Sequence, residues 1–146
     1  MLKNVVTRID ESPLAAKIVE HMLPYKASQS VSSTQLFDSL HFKDDESTAS
    51  FSPETRHASL GGPLHGGCQA CIMELVGFHQ AQRVLNNDQL ALESMQIDYL
   101  STPPSDGSVE IQCEILSQGA TRLSLLVSLV SKGRVCSQGT LCFSVK

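Results

Sequence analysis

The chain is predicted to adopt an α+β fold, a curved antiparallel sheet wrapped around one long buried helix. Two observations predict it. Residues 68–85 form one helix-length, mostly apolar run carrying a single acid, Glu74, and it is opened by Gly61-Gly62-Pro63-Leu64-His65-Gly66-Gly67. The C-terminal part then alternates apolar and polar residues in successive runs divided by turn residues, the period of half-buried strands. A helix apolar on most faces must be surrounded by protein, so the sheet has to curl around it.

The elements follow in order. Ser12-Pro13 places a capping serine before a proline at a first helical turn. Leu14, Ile18 and Met22 recur four apart until Pro24, which gives a short amphipathic helix within an N-terminal extension, residues 1–30. A serine-rich connection follows. Gln35–Phe42 and Ser47–Ser52 read as two short strands around the acidic turn Lys43-Asp44-Asp45-Glu46. The long helix runs from Gly66 to about Asn86. Met95, Ile97 and Tyr99 mark the next strand, Pro103-Pro104-Ser105-Asp106-Gly107 a turn, and Val109, Ile111, Cys113 and Ile115 another strand. Leu123 to Leu129 and Arg134 to Val145 complete a four-strand antiparallel meander, its last two strands joined at Lys132-Gly133. All of it reads as a single domain over residues 1–146.

Composition narrows the classes of function. The chain has 146 residues, 41% of them hydrophobic and 18% charged, with a net charge of −4. That is ordinary globular composition. No basic tract is interleaved with aromatics, so nucleic acid is not an expected partner. No apolar stretch reaches bilayer length, so no membrane span is expected. The first residues lack the pattern of a signal peptide, and a cytoplasmic location is expected. Five cysteines at irregular spacing make a poor disulfide framework. Cys113, Cys136 and Cys142 read as small core residues. Cys68 and Cys71 lack the second ligand cluster a zinc site needs, and no metal is expected.

The glycine motif carries the chemistry. A glycine-rich turn opening a helix leaves backbone N–H groups free. These and the helix dipole favour an anion or a developing oxyanion. A carboxylate two turns further in, Glu74, is a candidate base or nucleophile. An isolated carboxylate on an apolar helix is costly unless it is paired. The pairing of turn and acid suggests acyl transfer or hydrolysis.

Several motifs together resemble the hotdog-fold acyl-CoA thioesterases of the phenylacetate-type (PaaI-like) family. They are His65-Gly66-Gly67 with an acid nine positions after the histidine, Tyr99-Leu100 before a proline turn, and turns at Gly119 and Gly133. The resemblance covers residues 33–146. It implies a hotdog fold and hydrolysis of an acyl-CoA to free acid and coenzyme A, with no cofactor beyond the coenzyme A of the substrate. In such a protein the Gly66 N–H contacts the thioester oxygen. Glu74 acts as general base or nucleophile, and His65 fixes the turn. Ser59 stands where many members carry asparagine or glutamine. Gly67 and Phe78 belong to the substrate site. Coenzyme A phosphates call for cations, for which Arg83, Arg122 and, at the hairpin, Lys132 or Arg134 are the candidates. His57 reads as a polar surface residue. A non-catalytic acyl-CoA binder or sensor is the alternative, with Ser59 as its support. A hydratase or dehydratase is disfavoured by the acid's spacing.

Helix geometry bears on assembly. Gly66 and Glu74 lie eight residues apart, about 12 Å along one helix. One reacting carbon cannot touch both. An antiparallel helix from a second subunit would bring the acid of one chain to the turn of the other. The expected state is therefore a homodimer with shared sites, with a homotetramer as a further assembly.

Overall fold

A computed structural model of the chain describes residues 33–58, 63–104 and 107–146. The predicted N-terminal helix and its extension lie outside the described residues, as do Ser59, Gly61 and Gly62. The elements are helix α1 (Ser33–Asp38), strands β1 (Leu40–Phe42) and β2 (Thr48–Phe51), a single 3-10 turn (Thr55–His57), helix α2 (Gly66–Leu85), and strands β3 (Leu90–Tyr99), β4 (Val109–Gln118), β5 (Arg122–Ser131) and β6 (Arg134–Val145). The six strands make one antiparallel sheet in the order β1-β2-β4-β5-β6-β3.

Two sequence expectations change here. The first predicted strand begins only at Leu40, because residues 35–38 are helical. Leu36 alone drops into the core, and the Ser39 N–H returns to the Gln35 and Leu36 carbonyls, so one apolar anchor per turn suffices. The four C-terminal strands are also not a meander in sequence order. β3 pairs with β6 at the far edge, and only β4, β5 and β6 run as neighbours in succession. Beyond Tyr99, the Leu100 and Ser101 N–H groups both bond to the Cys136 carbonyl. Pro103 and Pro104 then have no N–H to continue a ladder, and the chain leaves that edge for a place beside β2. Alternation fixes which face a residue takes, not which neighbour a strand takes.

The inner face of the sheet is a closed core. Ile111, Leu123, Leu125, Val127, Leu129, Leu141 and Phe143 are fully buried beneath Ile72, Met73 and Val76 of α2. The helix comes close to β6 because Gly139 lacks a side chain; a Cβ there would lie 3.0 Å from the Met73 sulfur. Asn86 ends α2 in the left-handed conformation, its N–H on the Gln82 carbonyl. The hairpin at Lys132-Gly133 has both residues at positive φ, 51° and 75°, as a two-residue turn requires. Of the cysteines expected in the core, Cys136 is buried, while Cys113 and Cys142 are half-buried; all five are free.

The helix is not covered on every side. Gly67, Cys71 and Glu74 are exposed, and at spacings of four and three they form one stripe. Half-buried Phe78 continues it. The sheet packs against the helix as expected, and this one stripe is left open.

Candidate active site

The stripe begins at a turn held from several directions. His65 is the N-cap of α2, in extended conformation, and its Nδ1 accepts the Gly67 N–H at 3.0 Å. Its own N–H donates to the His57 carbonyl at 2.8 Å, and the Leu64 N–H donates to the Pro103 carbonyl at 3.1 Å. Ala58 and Leu64 form an antiparallel bridge. Inside the core, the Gln69 amide donates to the Leu64 carbonyl at 3.0 Å and accepts from the Ser137 hydroxyl of β6 at 2.7 Å. Gln69 and Ser137 are buried, so both ends of this bridge are shielded from water. From β3, the Tyr99 hydroxyl donates to the Gly66 carbonyl at 2.8 Å.

The Gly66 N–H has no hydrogen-bond partner among the described residues, and it opens a helix of 20 residues. Such an N–H, at the positive end of the helix dipole, can stabilise charge developing on a carbonyl oxygen. Two turns along, Glu74 is exposed and makes no hydrogen bond or ion pair among the described residues. Gly67 and Glu74 share the open stripe, about 10 Å apart along the axis. An unengaged N–H at the helix N-terminus and an uncommitted carboxylate two turns along the same helix are too far apart to serve one reacting atom within a single chain.

Residues 61–137 match the thioesterase superfamily. The chain belongs to that family. Solved structures agree in fold. The AziG protein of S. sahachiroi superposes with a TM-score of 0.68 at 22% identity, covering 80% of this chain and 98% of its own. A mutant thioesterase from Pseudomonas aeruginosa gives 0.65 at 21% identity, covering 80% and 94%. Zebra fish thioesterase superfamily member 2 gives 0.61 at 23% identity, covering 68% and 73%. A search of curated proteins found no match. At these identities the solved structures speak to the fold, which is the hotdog fold expected from the sequence.

Within this thioesterase-superfamily chain, the predicted site residues divide. Gly66, Gly67 and His65 meet at the turn, and Phe78 continues the stripe beyond Glu74, its ring edge-on to Phe143 at 6.0 Å. Ser59 lies outside the described residues. The cations separate. Arg83 stands near the opposite end of α2 and is bound to Glu46 at 2.8 Å. Arg122 is ion-paired with Glu93 on the sheet face turned away from the helix; the exposed Glu93 carboxyl is held below its usual pKa by hydrogen bonds from Ser144 and Arg122. Arg134 is exposed at the start of β6, two residues from the Cys136 carbonyl that anchors the end of β3. Of the three, Arg134 stands at the turn's end of the sheet.

Four residues at the turn escaped the sequence reading. His57 is 2% exposed, not a surface residue. Its Nδ1 accepts the Glu54 N–H at 2.9 Å, and its ring packs on Phe51 at 4.9 Å. Burial, followed by the Arg56 charge, lowers its pKa. A histidine between Arg56 and Ala58 in a loop gives no sign of this in sequence. Gln69 did carry a signal, an amide in an apolar helix that must be satisfied if buried. Its partner Ser137 and the Tyr99 hydroxyl are long-range contacts that no local pattern specifies.

Cys68 and Cys71 stay free, and no cluster of metal-ligating side chains occurs among the described residues. Burial pushes the Cys68 thiol up to about 11, which makes it a poor nucleophile or ligand at neutral pH.

Proposed function

We propose that this protein is a PaaI-like acyl-CoA thioesterase that hydrolyses a thioester to a free acid and coenzyme A. The carrying observation is a pairing on one helix: a held N-terminus with the Gly66 N–H unengaged among the described residues, and Glu74 free of any described partner on the open stripe two turns along. The thioester oxygen sits against the Gly66 N–H. Glu74 takes a proton from water as water attacks the carbonyl carbon, or itself attacks that carbon to form an anhydride that water then cleaves. In either route the C–S bond breaks, and coenzyme A leaves as a thiolate that is then protonated. Gly67 and Phe78 line the substrate path, and Arg134 is the best placed of the candidate cations for a phosphate. No cofactor takes part.

The two groups belong to different chains. An antiparallel α2 from a second copy would cover the open stripe and carry its Glu74 to this chain's Gly66. The outer edge of β3 also has no strand partner among the described residues, so the sheet can continue into that second copy. A homodimer is the functional unit, and two dimers form a tetramer. The free cysteines suit the reducing cytoplasm.

Thiol release from short, medium, long and aromatic acyl-CoAs tests the reading, with a substrate-free blank because the protein has thiols of its own. Turnover of one class names the substrate. A single turnover in H₂¹⁸O that leaves label in Glu74 identifies the nucleophilic route with water attacking the Glu74 carbonyl of the anhydride; label in the product acid alone fits either general-base attack or water attacking the substrate carbonyl of the anhydride. Saturable acyl-CoA binding with no turnover of any substrate would replace hydrolysis with the sensor reading.

A further inference from the structure

Tyr99 is the half-exposed side chain that reaches the turn from another element of the sheet. Its hydroxyl donates to the Gly66 carbonyl at 2.8 Å. Its ring also closes the space beside Gly66, because a Cβ built there would meet Cε1, Cζ and the hydroxyl oxygen, each at 3.3 Å. The ring is 54% exposed, so burial does not explain its placement. Tyr99 is the last residue of β3, paired with Ser137, the same residue that holds Gln69. The strand end is fixed further by the Leu100 and Ser101 N–H groups on the Cys136 carbonyl. A rigid strand end thus reaches the first peptide of α2 through one hydrogen bond and one ring face.

We propose that Tyr99 is a positioning residue for the hydrolysis. Its hydroxyl holds the Gly66 carbonyl on the far side of the residue, while the His65–Gly66 peptide, which carries the Gly66 N–H, is held through the His65 carbonyl by the Gln69 N–H at 3.0 Å; Gly66 is thus fixed from both sides, and its N–H is aimed at the thioester oxygen. This rests on the thioesterase reading above. Gly66 is then needed for two reasons: close approach of substrate, and room for the tyrosine ring.

The contact is partly exposed, so its loss is felt in rate more than in folding. Tyr99→Phe keeps the ring and removes one hydrogen bond, which is worth about a factor of ten in rate if it matters chiefly in the transition state. The expected result is a fall in kcat of about 5- to 20-fold with KM and the thermal midpoint unchanged. Gly66→Ala, which retains the N–H but pushes on the ring, should lose much less activity in a Tyr99→Leu background than in wild type, a coupling that independent sites do not show. Amide hydrogen exchange supplies a readout that needs no substrate: the Gly67 N–H, held by His65 Nδ1, exchanges faster in Tyr99→Phe. Unchanged kcat together with unchanged exchange, or strictly additive effects in the Gly66–Tyr99 cycle, would overturn the proposal. Faster exchange in the variant of a protein that turns over no acyl-CoA would retain the clamp on the turn while removing the thioesterase reading.

Discussion

The first turn of α2 and its third turn lie on the same helix, yet the protein treats them differently. The first is tied by His65, His57, Gln69 and Tyr99 to the preceding loop, to β6 and to β3. The third presents Glu74 to solvent with no described partner. A group that stabilises charge must be held before the reaction, because reorganisation during it would cost the stabilisation. A carboxylate supplied to a neighbouring chain needs only a firm helix beneath it, and Ile72, Met73 and Val76 give that by being fully buried. On the proposed reading, the oxyanion half of the site is complete within one chain and the carboxylate half comes from the second copy.

Replacing Glu74 tests that division most severely. Glu74→Gln should lower kcat by about 100-fold or more without lowering the thermal midpoint, because the carboxylate has no hydrogen bond or ion pair among the described residues to lose. Mixing this variant with an inactive turn variant, such as Gly66→Pro, should restore part of the activity if each site draws on two chains. No recovery in verified heterodimers would place both groups in one chain and break the comparison.

Replacing Gln69 attacks the other half and should reverse the pattern. Gln69→Leu leaves the Leu64 carbonyl and the Ser137 hydroxyl unsatisfied in a dry site. The expected loss is about 2–3 kcal/mol of stability, read as a lower midpoint in urea unfolding. A midpoint within error of wild type would mean that water enters and replaces the amide, and the turn would then be less firmly held than its contacts indicate.

The two halves also differ in how far the sequence revealed them. Helix α2, its glycine opening, its asparagine end and the inner faces of β3 to β6 follow from local period and turn chemistry, which act over a few residues. The Glu74 stripe follows as well, since a lone acid in an apolar run is visible at once. Strand order was not legible, because alternation is the same whichever neighbour a strand takes, and β3 therefore took a place that its pattern did not foretell. Residues 35–38 have the length of either a strand or a single helical turn, and burial of Leu36 decided between them. The clamps were the least visible. Tyr99 and Gly66 are far apart in the chain, and Ser137 resembles any strand serine until Gln69 is seen against it.

The smallest effect concerns the loop behind the turn. His57 is buried, and its pKa lies below the usual value of 6.5, chiefly through desolvation and then through the Arg56 charge, with Glu54 opposing. Its Nδ1 accepts the Glu54 N–H, which an imidazolium cannot do. A depressed folded pKa means that the unfolded chain takes up the proton first as pH falls. The stability this neutral histidine contributes is therefore fully present above about pH 6.5 and is lost as pH falls toward the lower folded value. His57→Gln, which keeps a hydrogen-bond acceptor but cannot titrate, should be less stable than wild type at pH 8, and the gap should narrow by pH 5. Urea midpoints at the two pH values measure it. Because the His57 carbonyl holds the His65 N–H, loss of this loop at low pH should loosen the first turn of α2 while leaving the packing beneath Glu74 in place. Exchange protection that fell equally at both turns would show that the two regions share one unit of stability, and the distinction between a held half and an open half would then be one of exposure alone.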